Sequence, residues 1–435
     1  MTKERAKYGA EAFAGLTGKL PNPFPRIMGP NCAKYLQEVV ESGLTSNMVE
    51  RFEQAFAKEM GVRHCIATPG CTPALAVLVA AFNFEPGDEI IVSPITDFGT
   101  VQGLIRENYI PVFADAEPGT INLSAETIEP CITDRTRAIL VVHKTGLICD
   151  MDPINGLAKK HGLIVYEDVC QAVFGEYKGR LAGTLSTAGA FSFDCEKTMG
   201  SDTGGCIVTN DDDLAERMRF VGQSRGSEME PGFGRKHTVP GYAYRMTQGT
   251  AAICLGQLEI IREQVAHRDK MIRLLSRLVG EIPGITPLPI PDYVNVYSCW
   301  MFGLSIDSAA FAARASAAGT SIPDRRYIPD CRDKCDAEEF ARQLCEAGIP
   351  GAGTGKYYLI PAALPFLDEW AREKRYPYSM PPASREYRYG AEACPNAWEF
   401  LQTFIRWSTF CEKYQPEHCE LAANIVRQVA DRNRR

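Results

Sequence analysis

The sequence predicts an α/β protein in which a large domain with a mostly parallel β-sheet is followed by a smaller C-terminal α+β domain. Between residues 62 and 210, short runs rich in Val and Ile alternate with helical or turn segments: HCIAT, DEIIVSP, IPVFAD, RAILVVH, LIVYED, GAFSFD and GCIVTN. Runs that are apolar throughout are typical of strands covered by helices on both faces. The 435 residues also exceed what one hydrophobic core usually organises, so two domains are expected.

The order of the elements sets the expected boundaries: an N-terminal segment at 1–45, a large domain at 46–284 and a small domain at 285–435. The large domain opens with an amphipathic helix, for which Ser46 is the predicted N-cap and Gly61 the stop. Further helices are expected over 211–222, 246–282, 337–348 and 418–430, and a strand over 296–306.

The composition is that of an ordinary folded protein and excludes several function classes. Apolar residues make up 45% of the chain and charged residues 23%. The net charge of −7 comes without a basic stripe, so nucleic acid is not an expected partner. No run of 18 apolar residues occurs, so no signal peptide or membrane span is expected. The 16 dispersed cysteines favour the reducing cytoplasm, and neither they nor the six histidines have the spacing of a metal site.

Polar residues stand where several of the predicted strands end. Asp168 ends LIVYED, Lys197 follows GAFSFD, and IATPGCT reaches a turn at Thr72. Ligands of such sheets bind beyond the carboxyl ends of the strands, so these residues are expected to share one crevice. An amine, a carboxylate and donors for a phosphate are what pyridoxal 5′-phosphate (PLP) requires, together with a wall against its ring.

Most of these requirements have a candidate at the predicted crevice. Asp168 can keep the pyridine nitrogen of the cofactor protonated, and Gln171 can meet the ring hydroxyl. Cys71 and Thr72 precede the helical run ALAVLVAAF and offer backbone N–H groups for the phosphate, to which Ser192 adds a hydroxyl. A single Asp at a strand end is usually structural, so the prediction rests on the combined order of these fragments.

The same segments resemble the DegT/DnrJ/EryC1/StrS family of PLP-dependent sugar aminotransferases over nearly the whole chain. The resemblance rests on ESGLTSNMVERFEQAFAKEMGVRH, VVHKTGLICDMDPI, VYEDVCQAVFGEYKGRLAGT, GAFSFDCEKTMGSDTGGCIVTND, YRMTQGTAAICLGQLE and a C-terminal CPNA. The fourth block is the most specific. It matches the family pattern of Phe-Ser-Phe, three residues, Lys and a Gly-Gly turn at Phe191, Ser192, Phe193, Lys197, Gly204 and Gly205.

The resemblance implies the PLP-dependent transferase fold type I, which is aspartate aminotransferase-like, and a homodimer. It implies that Lys197 forms an imine with the cofactor and acts in catalysis with Asp168. By the same resemblance, Gln171 contacts the cofactor ring, while Ser192 and Thr72 contact its phosphate.

Three positions depart from the family pattern. Pro73, in the phosphate turn, has no backbone N–H to donate. The ring-stacking aromatic of the family falls at Asp97 in an ungapped count, with Phe98 adjacent, which makes Phe98 the candidate wall. The family's Asn that reaches the phosphate of the neighbouring subunit is Ala243 here, and Arg245 is the preferred replacement because a guanidinium pairs with phosphate.

The expected function is transfer of an amino group from glutamate or glutamine to a keto-sugar, taken as nucleotide-linked, or to a keto-cyclitol, in polysaccharide or natural-product biosynthesis. Two alternatives stay open. One is a sugar dehydratase of the same family, in which histidine replaces the imine lysine, so Lys197 favours transamination. The other is a non-catalytic PLP-binding regulatory protein, an idea that Pro73 and Ala243 encourage.

Residues near the predicted crevice have competing interpretations. Lys144 follows the strand AILVVH and is a candidate substrate contact, whereas His143 is expected to be a core or supporting residue. Trp300 is expected in the core or at a subunit interface rather than as a substrate platform. Arg325 and Arg326 could meet a phosphate or carboxylate, or could be solvated.

Overall fold

Helices and strands alternate along the chain in the computed structural model, which describes residues 19–223, 228–232, 234–237, 239–311, 337–383 and 385–434. The helices are α1 Cys32–Glu41, α2 Met48–Met60, α3 Cys71–Phe82, α4 Phe98–Arg106, α5 Ala125–Ile128, α6 Met151–His161, α7 Asp212–Gln223, α8 Gln248–Leu258, α9 Ile261–Gly280, α10 Ala337–Ala347, α11 Ile360–Ala363, α12 Pro365–Arg372, α13 Pro395–Thr403 and α14 Pro416–Asn433. The strands are β1 His64–Thr68, β2 Glu89–Val92, β3 Ile110–Phe113, β4 Thr136–Val142, β5 Ile164–Asp168, β6 Glu176–Tyr177, β7 Arg180–Leu181, β8 Ala188–Ser192, β9 Gly205–Thr209, β10 Glu228–Glu230, β11 Gly234–Lys236, β12 Ile285–Pro287, β13 Val294–Val296, β14 Phe302–Ile306, β15 Ala352–Thr354 and β16 Phe404–Trp407.

Seven strands form one central sheet in the order β1-β9-β8-β5-β4-β2-β3. β3, β2, β4, β5 and β8 run parallel to one another, and β9 runs antiparallel to both β8 and β1. These are the seven apolar runs of the sequence, so the mostly parallel α/β layer is confirmed. In register, Asp168 lies between Val142 of β4 and Ala190 of β8, which brings the carboxyl ends of these three strands together.

At the end of β8, successive side chains point alternately toward the core and toward the opposite face of the sheet. Phe191 and Phe193 are two residues apart and share one face. There they pack on α2, with ring centroids 5.2 Å apart for Phe191 and Phe56 and 5.4 Å for Phe193 and Phe52. Ser192, between them, therefore points to the other face.

A second sheet, antiparallel and in the order β12-β14-β16-β15, forms the centre of the C-terminal part. The rings of Phe302 and Trp407 pack inside it with centroids 4.3 Å apart. Arg268 of α9 ties this part to the rest, because its buried guanidinium donates to the Glu412 carboxylate (3.1 Å) and to the Cys299 carbonyl (2.9 Å). Within the described ranges, no helix is long and apolar enough to cross a membrane.

The start of helix α2 differs from the prediction, although its stop at Gly61, with φ 67°, is confirmed. Ser46 is not the N-cap. The Gln248 Oε1 atom instead accepts from the backbone N–H groups of Met48 (2.8 Å) and Val49 (3.3 Å). The donors at the start of α2 are thus satisfied by a residue 200 positions away in sequence.

The helical run expected over 246–282 is two helices, α8 and α9. The N–H groups of Glu259 and Ile260 donate to the carbonyls three residues earlier, at 3.3 and 3.2 Å. Such bonds tighten the last turn of a helix and end its regular ladder. Neither Gly nor Pro stands at Glu259 or Ile260, so the break has no local signal in the sequence.

Candidate active site

Asp168 is buried at the end of β5, where its carboxylate is held by two donors. The Thr100 hydroxyl on α4 donates to Oδ2 (2.9 Å), and the Cys170 backbone N–H donates to Oδ1 (3.0 Å). A carboxylate accepts up to about four hydrogen bonds, so Asp168 keeps capacity for a further donor such as a pyridinium N–H. Thr100 was not predicted, because it lies 68 residues away in sequence.

Lys197 stands in a loop that is closed at its base. The Phe193 N–H donates to the Gly204 carbonyl, and the Ser201 N–H donates to the Phe193 carbonyl, both at 2.8 Å. Inside the loop, the Lys197 N–H donates to the Asp194 carbonyl at 2.9 Å. The backbone that carries the amine is therefore fixed relative to the end of β8.

The N-terminal segment braces the same loop from outside. The Arg26 guanidinium donates to the carbonyls of Cys195 (3.0 Å) and Thr198 (2.8 Å), and the Gln257 amide donates to that of Gly200 (3.0 Å). Sequence reasoning missed Arg26 because the contact spans about 170 residues and matches no motif.

Trp300 packs partly against the hydrophobic core, as expected, and also lies beside Lys197. The Lys197 Nζ atom is 3.9 Å from the centroid of the half-buried Trp300 ring. The indole N–H donates to the Glu196 carbonyl (2.9 Å), which fixes the ring beside the lysine loop. The aromatic face supports the amine by a cation–π contact.

The N-terminus of α3 provides the donors predicted for a phosphate. Cys71 and Thr72 are its first two residues, and N–H groups in the first helical turn have no partner within the helix. Pro73, at the third position, contributes none. The Cys71 Sγ atom lies 3.9 Å from Asp168 Oδ1, so the helix terminus and the carboxylate belong to one site. Ser192 is buried at the same sheet edge, at the end of β8.

Steric contacts explain why Gly205, the second glycine of the motif after Lys197, is a glycine. A Cβ atom on Gly205 would lie 2.5 Å from the Gly70 carbonyl carbon and 2.7 Å from the Cys71 nitrogen. Only glycine lets β9 approach the phosphate turn this closely.

Gln171 and Lys144 occupy the neighbouring strand end. The buried Gln171 accepts from the Thr145 N–H through Oε1 (2.6 Å), which leaves its amide NH₂ as a donor for another group. Lys144 is only 1% exposed, and its Nζ atom lies 3.2 Å from the centroid of the Tyr358 ring. The Lys144 amine has no hydrogen-bond partner among the described residues.

His143 and Glu167 occupy the opposite face of the sheet, since neighbouring residues on a strand alternate. The buried pair joins His143 Nε2 and Glu167 Oε2 at 2.9 Å. Glu167 also accepts from the N–H groups of Gly183 (2.7 Å) and Leu185 (2.9 Å). The pair fixes the two strand ends, as expected for a supporting histidine.

Phe98 and Asp97 start helix α4 near the site. Asp97 is the N-cap, and its carboxylate accepts from the Gly99 N–H at 3.1 Å. The Phe98 ring is 37% exposed and lies edge-on to Phe366, with centroids 6.3 Å apart. The role of Phe98 as the wall of the cofactor site stays a prediction.

Arg245 is not brought to the other predicted residues within one chain. Both it and Ala243 are exposed, in a segment that runs along α7, where the Tyr244 N–H donates to the Gly222 carbonyl (2.7 Å). Arg325 and Arg326 lie outside the described residues.

One group of possible metal ligands occurs in the part of the chain that the structure describes. The ligand atoms of Cys71, Asp168 and Cys170 lie within 4.8 Å of one another, a cluster that spacing in the sequence could not reveal. A hydrogen bond with Cys170, together with burial, raises the pKa of the Cys71 thiol, which keeps it protonated at neutral pH.

The assembled donor set fits PLP. An amine, a carboxylate with spare acceptor capacity, a free helix N-terminus and an amide meet at one sheet edge. Lys197, Asp168, Cys71, Thr72, Ser192 and Gln171 are the residues that would hold the cofactor there.

Several known proteins are similar to this chain in sequence. The profile of the DegT/DnrJ/EryC1/StrS aminotransferase family matches residues 27–319. The chain is 36% identical over 293 residues to GDP-perosamine synthase of Caulobacter vibrioides, a match that covers 67% of this chain and 78% of that protein. It is 34% identical over 303 residues to a putative L-glutamine:3-amino-2,3-dideoxy-scyllo-inosose aminotransferase of Streptoalloteichus tenebrarius, covering 67% and 70%.

Among solved structures, 3-amino-5-hydroxybenzoic acid synthase superposes with a TM-score of 0.77 at 22% identity, covering 95% of this chain and 100% of that one. This likeness confirms the predicted fold type I. The chain therefore belongs to the DegT/DnrJ/EryC1/StrS aminotransferase family, and its cofactor is PLP.

Proposed function

We propose that this protein transfers an amino group from glutamate or glutamine to the ketone of a nucleotide-linked keto-sugar or a keto-cyclitol. The observation that carries the proposal is the meeting of an amine, Lys197, and a buried carboxylate, Asp168, with the free N-terminus of α3 at one sheet edge. The two relatives support the acceptor class. One is named for a GDP-linked product and the other for an inosose, a cyclitol ketone.

When bound at this edge, PLP supplies an aldehyde that condenses with amines and a pyridinium ring that draws electrons from the reacting carbon. Asp168 would keep the ring nitrogen protonated, and the Thr100 hydroxyl and Cys170 N–H orient that carboxylate. Lys197 would hold the cofactor through its amine, and its Nζ atom would carry the proton that the donor α-carbon loses. Trp300 shields one side of the Lys197 amine from water.

The first N–H groups of α3 and the Ser192 hydroxyl would hold the phosphate. Two backbone donors, at Cys71 and Thr72, remain although Pro73 removes the third. The Gln171 NH₂ would be the group that meets the ring hydroxyl, because the Gln171 oxygen already accepts from the Thr145 N–H. We also infer a cytoplasmic location, since the 14 described cysteines are all free thiols.

The half-reaction tests the function against its alternatives. L-Glutamate or L-glutamine added to the purified holoprotein is expected to bleach the visible absorbance of the cofactor, and a keto-sugar nucleotide or keto-cyclitol should then restore it. A PLP-binding regulatory protein would keep its absorbance with both donors. A dehydratase would convert a sugar nucleotide without consuming a donor, an outcome that Lys197 disfavours.

We further propose that the protein is a homodimer in which each cofactor site is completed by the partner. Six large apolar side chains in the N-terminal region are exposed in a single chain: Phe24, Ile27, Met28, Leu36, Val40 and Leu44. Exposed apolar surface of this kind marks interaction sites. Leu36 approaches Gly249, four residues after Arg245, so this surface adjoins the segment expected to reach the other subunit.

Arg245→Ala is expected to weaken PLP affinity by about 10- to 100-fold, the range of a lost charge-assisted hydrogen bond. Fluorescence titration of the apoprotein measures the affinity, and sedimentation is expected to show a dimer. Ala243→Asn should tighten binding or leave it unchanged, and Arg427→Ala, at an exposed arginine on α14, is the matched control. An active monomer, or an affinity insensitive to Arg245→Ala, would contradict this arrangement.

A further inference from the structure

Lys144 is a buried ammonium side chain whose charge nothing in the described part of the chain neutralises by a hydrogen bond. Its side chain is 1% exposed, and its Nζ atom has no acceptor. The close contact is the face of the Tyr358 ring, 3.2 Å from Nζ to the centroid. A buried charged group without a partner is destabilising, and a cation–π contact offsets only part of that cost. A lysine kept in such a place points to a ligand.

The electrostatic surroundings of Lys144 are those of the active site. Burial lowers the pKa of its ammonium to about 7, so the amine is partly neutral near neutral pH. The charge of Lys197 lowers the pKa further, whereas the neighbouring acidic groups raise it. The titratable groups that act on it are Cys170, Lys197, Asp97 and Asp168.

The backbone holds Lys144 toward the edge where Lys197 and Asp168 stand. Lys144 comes two residues after Val142, which is paired with Asp168 in the sheet. The turn that carries Lys144 is fixed to β5, since Gln171 accepts from the N–H of Thr145 at 2.6 Å. The charge of Lys197 also acts on the Lys144 ammonium, so the two amines belong to the same edge of the sheet.

We propose that Lys144 binds the α-carboxylate of the amino donor, an inference that rests on the proposed function. The donor nitrogen reacts at the position that the Lys197 amine occupied. The α-carboxylate of the donor is attached to the carbon that bears this nitrogen. A cation beside Lys197 therefore meets that carboxylate. In the absence of donor, the partly neutral amine limits repulsion with Lys197, and the arriving carboxylate draws a proton onto it.

Lys144→Met tests the proposal in the half-reaction. The variant removes the charge at similar length, and replacing an unpaired buried charge with an apolar group is expected to leave the protein folded. The half-saturating concentration of L-glutamate is expected to rise about 10- to 100-fold, the range for a lost charge-assisted hydrogen bond. The value for 4-aminobutyrate, which is glutamate without its α-carboxylate, should stay the same. Lys160→Met, at an exposed lysine 2.9 Å from Glu129, is the matched control.

A second measurement does not depend on turnover. Glutarate carries the carboxylates of glutamate without the amine, and its binding to the holoprotein can be followed by calorimetry in buffers of different ionisation enthalpy. Because the Lys144 pKa is about 7, binding at pH 7 should take up about half a proton more in wild type than in Lys144→Met. The difference should approach one proton at pH 8 and vanish at pH 6.

The outcomes separate this proposal from the proposed function. The Lys144 assignment is wrong if the variant binds glutamate like wild type, if only the keto acceptor is affected, or if glutarate causes the same proton uptake in both proteins. Wild-type protein whose absorbance does not respond to any donor would instead refute the aminotransferase function. In that case, the proton uptake on glutarate binding would still show whether Lys144 binds a carboxylate.

Discussion

Lys197→Ala is expected to abolish covalent attachment of PLP and to lower turnover by roughly 10⁴-fold or more, because one substitution removes both the amine that binds the cofactor and the proton carrier. The fold should survive, since Lys197 is half-buried and its loop is closed by backbone hydrogen bonds that alanine keeps. Borohydride reduction followed by peptide mass analysis locates the attachment, and steady-state assays measure the turnover.

Lys144, the other lysine of the site, is an alternative attachment point that this experiment can detect. If Lys197→Ala still forms an adduct on borohydride reduction, the attachment belongs to Lys144, whose pKa near 7 leaves it partly nucleophilic, or to a lysine elsewhere. Loss of the adduct in the double variant with Lys144→Met would identify Lys144. Lys160→Ala, on the exposed surface, controls for the loss of any lysine.

The central sheet could be predicted because its strands are buried on both faces. Each of the seven runs, from HCIAT to GCIVTN, is apolar throughout and bounded by turns. Both the pattern and the composition of each run therefore indicate a buried strand. The start of α2 and the break at Glu259 could not be predicted in the same way. The start of α2 depends on hydrogen bonds that the distant Gln248 oxygen accepts, and the break depends on bonds within a tightened last turn. Neither has a local signal in the sequence.

The residues of the candidate site likewise divide into those that could be predicted from the sequence and those that could not. Asp168, Ser192 and Lys197 end or follow strands, so topology alone places them at one edge. Thr100 and Arg26 act through hydrogen bonds across long sequence separations, and no motif predicts them. The expectation that Trp300 packs against the core agrees with the structure, whereas its position beside Lys197 depends on tertiary contacts that no motif predicts.

Asp168→Asn is expected to retain the cofactor and to lower kcat by roughly 10²–10³-fold, the effect of removing one preorganised electrostatic contact from a buried site. A neutral amide cannot keep the ring nitrogen protonated, so the ring would withdraw electrons less strongly from the reacting carbon. The geometry adds a second cost. Thr100 Oγ1 and the Cys170 N–H donate to separate oxygens of the carboxylate, and asparagine has only one oxygen to offer them.

Cofactor content and kcat measured on the same Asp168→Asn preparation separate the electronic effect from simple loss of PLP. Asp368→Asn, which removes an exposed carboxylate paired with Arg372 at 2.9 Å, is the matched control and should leave both values unchanged. A content near that of wild type with a strongly reduced kcat is the expected result, since Lys197, the α3 N-terminus and Ser192 still hold the cofactor. Turnover within a few-fold of wild type would show that Asp168 does not govern the ring nitrogen, and its hydrogen bond with Thr100 would then serve only to join β5 and α4.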